Sequence, residues 1–98
     1  MTTKLSAEER AAGLAELGGS GWVETPGRDA VTKEFRFNNF VEAFGWMSRA
    51  AIHAEKLGHH PEWTNVYNRV SVTLTTHDVG GLSALDLELA RRLDALSA

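Results

Sequence analysis

The sequence predicts a single α+β domain over residues 1–98, with elements in the order helix, strand, strand, helix, strand, strand, helix. Three segments carry apolar residues at helical spacing behind capping residues, and four short segments alternate apolar and polar side chains. Turn signals separate the strands of each hairpin, which favours antiparallel pairing. One sheet whose apolar face is covered by helices would bury all of these faces.

The first helix is predicted to begin at Ser6, because Ser6 and Glu9 have the spacing of a capping box. Apolar residues then recur at helical spacing, at Ala7, Ala11, Leu14 and Leu17. The glycine cluster at residues 18–21 stops the helix. A phosphate-binding loop would instead follow a strand and open a helix, so we interpret the cluster as a turn.

Two strands are predicted next, at residues 22–25 and 31–37, with the turn signal Pro26-Gly27-Arg28-Asp29 between them. The alternating pattern of the second strand predicts that one of its faces is buried. Its apolar face carries Val31, Phe35 and Phe37, and Thr32, Glu34 and Arg36 lie on the opposite face.

The long second helix is predicted to start at an Asn39–Glu42 cap pair and to end at Gly58, a residue suited to a left-handed stop. Its buried stripe is predicted from apolar side chains at helical spacing: Phe40, Phe44, Met47 and Ala51, widened by Val41 and Ile52. His59 and His60 then follow the helix end, and Pro61 biases His60 toward extended backbone.

The second hairpin is predicted from strands at residues 63–67 and 69–75, the latter burying Val70, Val72 and Leu74. If that strand continued, His77 would lie on the side of Thr73 and Thr75. A last helix follows a weak Ser83–Asp86 cap pair. Its apolar positions could form an interface or pack on the domain's own sheet: Leu82, Leu85, Leu89, Leu93 and Leu96.

Composition excludes several classes of function. The chain has no cysteine, which excludes disulfides, thiolate catalysis and cysteine zinc sites. Its net charge of -3 and the lack of a basic patch argue against direct binding of nucleic acid. No apolar run is long enough for a membrane helix, and the N-terminus has no export signal, so we expect a cytoplasmic protein. A core of this size is marginal, and self-association would add burial.

Three of the four histidines cluster in the sequence as His59, His60 and His77, and we predict that His53 is a surface residue. A metal site is one alternative, with acidic partners available at Glu55, Glu62 and Asp78. Adjacent histidines rarely aim both rings at one ion, and the His-x-x-x-His spacing is absent. Imidazoles with a pKa near 6.5 can both donate and accept protons at neutral pH. We therefore favour acid–base chemistry without metal or cofactor.

The stretch of residues 55–70, which contains Glu-Lys-Leu-Gly-His-His-Pro-Glu-Trp, resembles the signature of the pterin-4a-carbinolamine dehydratases. The similarity continues through residues 72–78, through Gly81-Leu82-Ser83 and to Asp86. It extends more loosely to Trp22, Lys33-x-Phe35-x-Phe37 and Phe44-x-x-Met47. Gly58 departs from the family pattern, since a larger polar residue is usual before the histidine pair.

The resemblance implies a four-stranded antiparallel sheet with three helices on one face. It also implies dehydration of a 4a-hydroxytetrahydropterin to the quinonoid dihydropterin, which recycles the cofactor of aromatic amino-acid hydroxylases. His59, His60 and His77 would be the catalytic and pterin-binding histidines. The other implied substrate-binding positions are Pro61, Trp63, Thr76, Asp86 and Glu55. A homodimer or homotetramer would be the expected assembly.

Two further functions stay open at this point. The same fold could serve as a non-enzymatic interaction module, either a transcription coactivator or an assembly helper, although three intact histidines favour catalysis. A metal-dependent hydrolase is the other alternative. Asp86 could be a catalytic residue or only a helix-start residue stabilised by the helix dipole and Ser83. Glu55 could orient a histidine or lie free in solvent.

Overall fold

The structure is a computed structural model and describes residues 2–97. Its helices and strands follow the predicted order: α1 (Ala7–Gly18), β1 (Val23–Glu24), β2 (Val31–Arg36), α2 (Phe40–Leu57), β3 (Glu62–Val66), β4 (Arg69–Leu74) and α3 (Ala84–Ser97). A short 3-10 turn, His77–Val79, lies between β4 and α3. The four strands form one antiparallel sheet in the order β1-β2-β4-β3, so the predicted α+β fold is confirmed.

The central pair of strands, β2 and β4, forms the floor of the core. Phe35 pairs with Val70, and Lys33 pairs with Val72. Val70, Val72 and Leu74 are all buried, as the period-2 pattern predicted. The helices cover this face. The opposite face carries hydroxyl contacts such as Thr32 Oγ1 to Thr73 Oγ1 at 3.1 Å.

The predicted helix ends are confirmed in detail. Ser6 and Glu9 form a complete capping box, each side chain accepting a hydrogen bond from the other residue's backbone N–H. The Asn39 side chain accepts from the Glu42 N–H at 2.9 Å. Gly58 has a φ of 62°, the left-handed conformation that ends α2. These local signals determine where α2 ends and where the chain turns toward the histidine pair.

The predicted buried stripe of α2 is wrong except at Met47, which is half-buried against the core. The buried side chains are small residues and one tryptophan: Ala43, Trp46, Ala50 and Ala54. The Trp46 ring lies 4.5 Å from the Phe35 ring, centroid to centroid, and fills the space between helix and sheet. The alanines allow α2 to approach its neighbours closely, and the large side chains lie on the other side of the helix. Phe40, Val41, Phe44 and Ile52 are therefore exposed, between 47% and 78%.

The leucines of α3 pack inside the domain. Leu89 and Leu93 are fully buried, as is Leu82 just before the helix. The Trp46 indole Nε1 contacts the Leu93 carbonyl oxygen at 3.4 Å, which ties α2 to α3. Of the two alternatives for these leucines, the structure supports packing on the domain's own core. None of the helices within residues 2–97 is long and apolar enough to span a membrane.

Asp29, in the turn between β1 and β2, joins three distant parts of the chain. Its carboxylate accepts hydrogen bonds from Arg10 Nε at 2.8 Å and from the Leu82 N–H at 3.3 Å. Partial burial acts to raise the pKa of Asp29, but the hydrogen bonds and the charges of Arg10 and Lys4 outweigh it, so the pKa is lowered. Gly81 packs directly on Asp29, and a Cβ there would meet Asp29 Cγ at 2.9 Å.

Candidate active site

The histidines predicted from sequence converge on one cavity of about 230 Å³. The end of α2, the start of β3 and the 3-10 turn after β4 supply its walls. The lining residues are Gly58, His59, His60, Glu62, Thr75, Thr76, His77 and Asp78. The sequence therefore predicted which histidines come together, although the third arrives from a turn and not from a strand.

The backbone after α2 separates the two adjacent histidines. The left-handed Gly58 turns the chain, and the His59 N–H donates to the Ala54 carbonyl at 3.0 Å. His59 is 8% exposed, whereas the His60 side chain is 65% exposed. One imidazole thus lies in the wall of the domain and its neighbour lies at the rim of the cavity.

A buried carboxylate holds the His59 ring. His59 Nε2 lies 2.5 Å from Asp86 Oδ1, and Asp86 is completely buried. Its other oxygen, Oδ2, accepts from Thr76 Oγ1 at 2.7 Å and from the Ser83 N–H at 2.9 Å. Because a ring nitrogen that donates to a carboxylate carries the proton, this contact favours the Nε2–H tautomer of His59.

Asp86 also belongs to the start of α3. Its bond to the Ser83 N–H is one half of a cap, and Ser83 Oγ accepts from the Leu85 N–H at 3.3 Å. Asp86 therefore lies at the helix start, as one of the two interpretations had it, and it also contacts a histidine; a catalytic role for it stays a prediction. The sequence could not show that contact, because His59 and Asp86 are 27 residues apart.

His60 has an acidic partner as well. Its Nε2 lies 2.8 Å from Oε1 of Glu55, which lies five residues earlier, in the last turn of α2. Both side chains are exposed, at 65% and 81%. Solvent weakens such a contact, so it adds little to the stability of the fold.

His77 starts the 3-10 turn and is exposed. The expectation that it continues the β4 alternation fails, because β4 ends at Leu74 and Thr76 pairs instead with Gly81. The left-handed Gly80 closes the turn at a φ of 72°. This tight loop, not strand extension, brings His77 to the cavity.

An ion pair that the sequence did not predict lies at the rim. Arg28 donates from both Nη atoms to the Glu62 carboxylate, each at 2.9 Å. The hydrogen bond from Arg28, followed by the charges of Arg28 and His77, holds the pKa of Glu62 below its usual value. The sequence pattern predicted only that Arg28 lies in a turn and that Glu62 could be a metal ligand. Nothing local indicates that the β1–β2 turn reaches across to β3.

Other candidate residues lie outside this cavity. Trp63 is half-buried and packs against Trp46, with ring centroids 6.4 Å apart, and Pro61 is also half-buried. His53 is half-buried with an unpartnered buried Nδ1, so the prediction of a plain surface residue is wrong. Within residues 2–97, no group of three or more His, Cys, Asp or Glu side chains is arranged to hold a metal ion.

Curated proteins that are similar to this chain over nearly its whole length carry the same name. A protein of Roseobacter denitrificans is 62% identical over 97 residues, which is 99% of each chain, and one of Ruegeria pomeroyi is 59% identical over 96 residues, covering 98% of this chain and 99% of the relative. Both carry the name "Putative pterin-4-alpha-carbinolamine dehydratase".

Solved structures agree with the fold. The crystal structure of a transcriptional coactivator/pterin dehydratase from Brucella melitensis superposes with a TM-score of 0.91 at 46% identity, covering 98% of this chain and 100% of that one. A pterin dehydratase-like RuBisCO assembly factor of the α-carboxysome shares the fold at a TM-score of 0.68 and 24% identity, over 80% of this chain and 90% of that one. The family model for pterin 4 alpha carbinolamine dehydratase matches residues 3–96, and the chain belongs to that family.

Proposed function

We propose that this protein dehydrates a 4a-hydroxytetrahydropterin to the quinonoid dihydropterin by histidine acid–base catalysis. The observation that carries the proposal is the convergence of His59, His60 and His77 on one cavity, with His59 fixed by the buried Asp86. Family membership supports pterin carbinolamine dehydratase activity in general. The reaction would return the pterin to the cycle that serves aromatic amino-acid hydroxylases.

The chemistry needs one proton donor and one proton acceptor. The substrate carries a hydroxyl on C4a and a hydrogen on the adjacent nitrogen, N5. An acid protonates the hydroxyl, which leaves as water when the C4a–O bond breaks. A base removes the N5 proton, and the N–H electron pair becomes the second bond of C4a=N5. The products are one water and the quinonoid dihydropterin, with no oxidation or reduction.

His59 is the base in this proposal. Its Nε2 is committed to Asp86, which leaves the lone pair on Nδ1 to accept the N5 proton. The acid is one of the two exposed rings, His60 or His77, because each can exchange its proton with water after a turnover. Asp86 and Glu55 act as positioning residues for the two rings that they contact.

The remaining predicted residues have supporting roles. Thr76 lines the cavity and donates to Asp86, so it connects the substrate wall to the carboxylate. Pro61 and Trp63 act by holding the chain between the histidine pair and β3. No step requires a metal or an added cofactor, since the three imidazoles supply both proton transfers.

The decay of a freshly generated 4a-hydroxytetrahydropterin, followed by absorbance, tests this proposal. The native protein should accelerate it. Alanine variants of His59 and of the one ring, His60 or His77, that acts as the acid should lose roughly 10²–10⁴-fold of the rate. His53→Gln is the matched control, because His53 lies outside the cavity. No acceleration by the native protein would contradict the enzymatic function and favour the interaction module.

We also propose a homodimer or homotetramer formed through the exposed face of α2. That face carries Phe40, Val41, Phe44 and Ile52, with the Phe40 and Phe44 rings 5.8 Å apart. Contiguous exposed apolar surface of this kind typically marks an interface. The unpaired edge of β3 is a second candidate contact between copies. Cytoplasmic location stays a prediction.

Light scattering after size-exclusion chromatography tests the assembly. The native protein should elute as a dimer or tetramer, and Phe44→Glu should shift it to a smaller species because a buried carboxylate would disfavour association. Glu8→Gln, on the exposed side of α1, serves as the control. A monomeric native protein, or an unchanged mass for Phe44→Glu, would contradict an interface on α2.

A further inference from the structure

The cavity of the three histidines opens where two strands of the sheet separate. β3 and β4 stay paired as far as Glu62, where their ladder ends. The lining residues within 58–62 then form one side of the cavity, which carries His60, and residues 75–78 form the other, which carries His77. Because the ladder stops at Glu62, other contacts must set the distance between these two rings.

At its buried base the cavity is held together by Asp86. One carboxylate oxygen of Asp86 contacts His59, and the other accepts a hydrogen bond from Thr76 Oγ1, so the base joins the two sides. The base therefore fixes His59. Within residues 2–97, the hydrogen bonds of Asp86 do not include His60 or His77, whose side chains lie at the exposed rim.

The turn between β1 and β2 spans that rim. Val31, the first residue of β2, pairs with Leu74, the last residue of β4, so the turn before Val31 lies beside the point where β4 leaves the sheet. Arg28 in this turn donates from both Nη atoms to the Glu62 carboxylate, each at 2.9 Å. Arg28 thus binds one side of the cavity, and its neighbour Asp29 binds the other.

Asp29 contacts both ends of the segment that carries the third histidine. Its backbone carbonyl accepts from Thr75 Oγ1 at 2.9 Å, and its carboxylate accepts from the Leu82 N–H at 3.3 Å. Between these two residues the chain closes into a loop through the bridge of Thr76 with Gly81. The position of the whole loop therefore depends on Asp29.

We propose that Arg28 and Asp29 are positioning residues, which form a brace across the rim of the cavity and fix the separation of His60 and His77. The catalytic consequence rests on the proposed function, in which one of these two rings is the acid. The two residues are adjacent in one closed turn, so the link between the sides is short. A displacement of about 1 Å in a reacting group can cost about 10²-fold in rate.

The charges of the brace suit neutral pH. The hydrogen bond from Arg28 is the main cause that lowers the pKa of Glu62. Burial acts to raise the pKa of Asp29, but its hydrogen bonds and the nearby cations outweigh burial and lower that pKa. Both carboxylates are therefore ionised at pH 7. Arg10 Nε, at 2.8 Å from Asp29 Oδ1, also ties the turn to α1, so the brace is anchored on a packed helix.

Arg28→Ala tests the contact with Glu62. The two side chains are 46% and 57% exposed, so loss of their ion pair should change Tm little. We expect kcat/KM for the 4a-hydroxytetrahydropterin to fall about tenfold, because the acid is no longer held at its distance from the substrate. Arg36→Ala is the matched control, because Arg36 also forms an exposed ion pair, with Glu34, outside the cavity. It should leave the rate unchanged.

A double-mutant cycle shows how Arg28 acts. If it acts through Glu62, Arg28→Ala should cause no further loss of rate in a Glu62→Ala background. A full tenfold loss in that background would mean that Arg28 acts on the substrate itself, and it would overturn the brace.

Thr75→Val tests the contact with Asp29 without a change of charge. Valine keeps the branched shape of the side chain but cannot donate to the Asp29 carbonyl. We expect kcat/KM to fall about tenfold. In ¹H–¹³C NMR spectra the ring resonances of His77 should move, whereas those of His59, which the base of the cavity holds, should stay in place. Thr75→Ser keeps the hydroxyl and should behave as the native protein does.

The outcomes separate the brace from the proposed function. Native His77 resonances in Thr75→Val, or native rates in both Arg28→Ala and Thr75→Val, would overturn the brace and leave the dehydratase intact. No acceleration by the native protein would overturn the dehydratase, and the resonances alone would then decide the brace. In Thr75→Val, shifts at His53 as large as those at His77 would show a general disturbance of the fold and would also overturn the brace.

Discussion

Replacement of Asp86 by asparagine should lower the rate of pterin dehydration by about 10²–10⁴-fold while the domain stays folded. The amide keeps the size of the side chain, and its oxygen can still accept from Thr76 or the Ser83 N–H. Its NH₂ group, however, can only donate to His59 Nε2. The ring would then carry its proton on Nδ1 and lose the lone pair that accepts the N5 proton.

The ring nitrogen shifts of His59 in ¹⁵N NMR separate this mechanism from a structural defect. Asp86→Asn should move the proton from Nε2 to Nδ1, and Glu88→Gln, two residues further along α3 and half-buried, should leave both the tautomer and the rate unchanged. An Asp86→Asn variant with native activity, or with a slowed rate and the native tautomer, would contradict a positioning role for Asp86.

Replacement of Trp46 by alanine should reduce the free energy of unfolding by about 3–5 kcal/mol. Trp46 is fully buried and contacts the rings of Phe35, Phe37 and Trp63. Removal of the indole leaves a cavity that the surrounding alanines of α2 are too small to fill. Urea denaturation followed by circular dichroism would measure the loss, which should not depend on protein concentration.

Phe44→Ala is the matched control on the opposite side of the same helix. Phe44 is 55% exposed, so its truncation should cost the isolated domain little. Any loss that Phe44→Ala does cause should shrink on dilution, because it would act through association of copies, which dilution removes in both proteins. Equal, concentration-independent losses for the two variants would contradict the assignment of the two faces of α2.

Local signals in the sequence predicted the elements well. Caps such as Ser6–Glu9 and the alternation of Val70, Val72 and Leu74 depend on neighbouring residues only, and these predictions are confirmed. The buried face of α2 was predicted wrongly because the helix has two apolar sides. Hydrophobicity favours the larger side chains, whereas close packing favours Trp46 with small residues around it.

In the candidate site, too, local patterns could be predicted and contacts between distant residues could not. The three histidines could be found because they stand in a recognisable pattern, and they do line one cavity. The contact of Glu55 with His60 was one of the alternatives left open, whereas the contacts between distant parts of the chain could not be predicted. Asp86 reaches His59 across 27 positions, and Arg28 reaches Glu62 across 34. Such pairs follow from how helices and turns dock, and a single sequence carries no local trace of that docking.

The hydrogen bond between His59 and Asp86 has a consequence for folding during synthesis. The histidine pair leaves the ribosome before α3, and until α3 follows, His59 lacks its carboxylate partner. The same helix supplies Leu89 and Leu93 to the core. Completion of the core and completion of the site therefore both wait for α3, and a chain that stops short of α3 has its histidines without the group that orients the first of them.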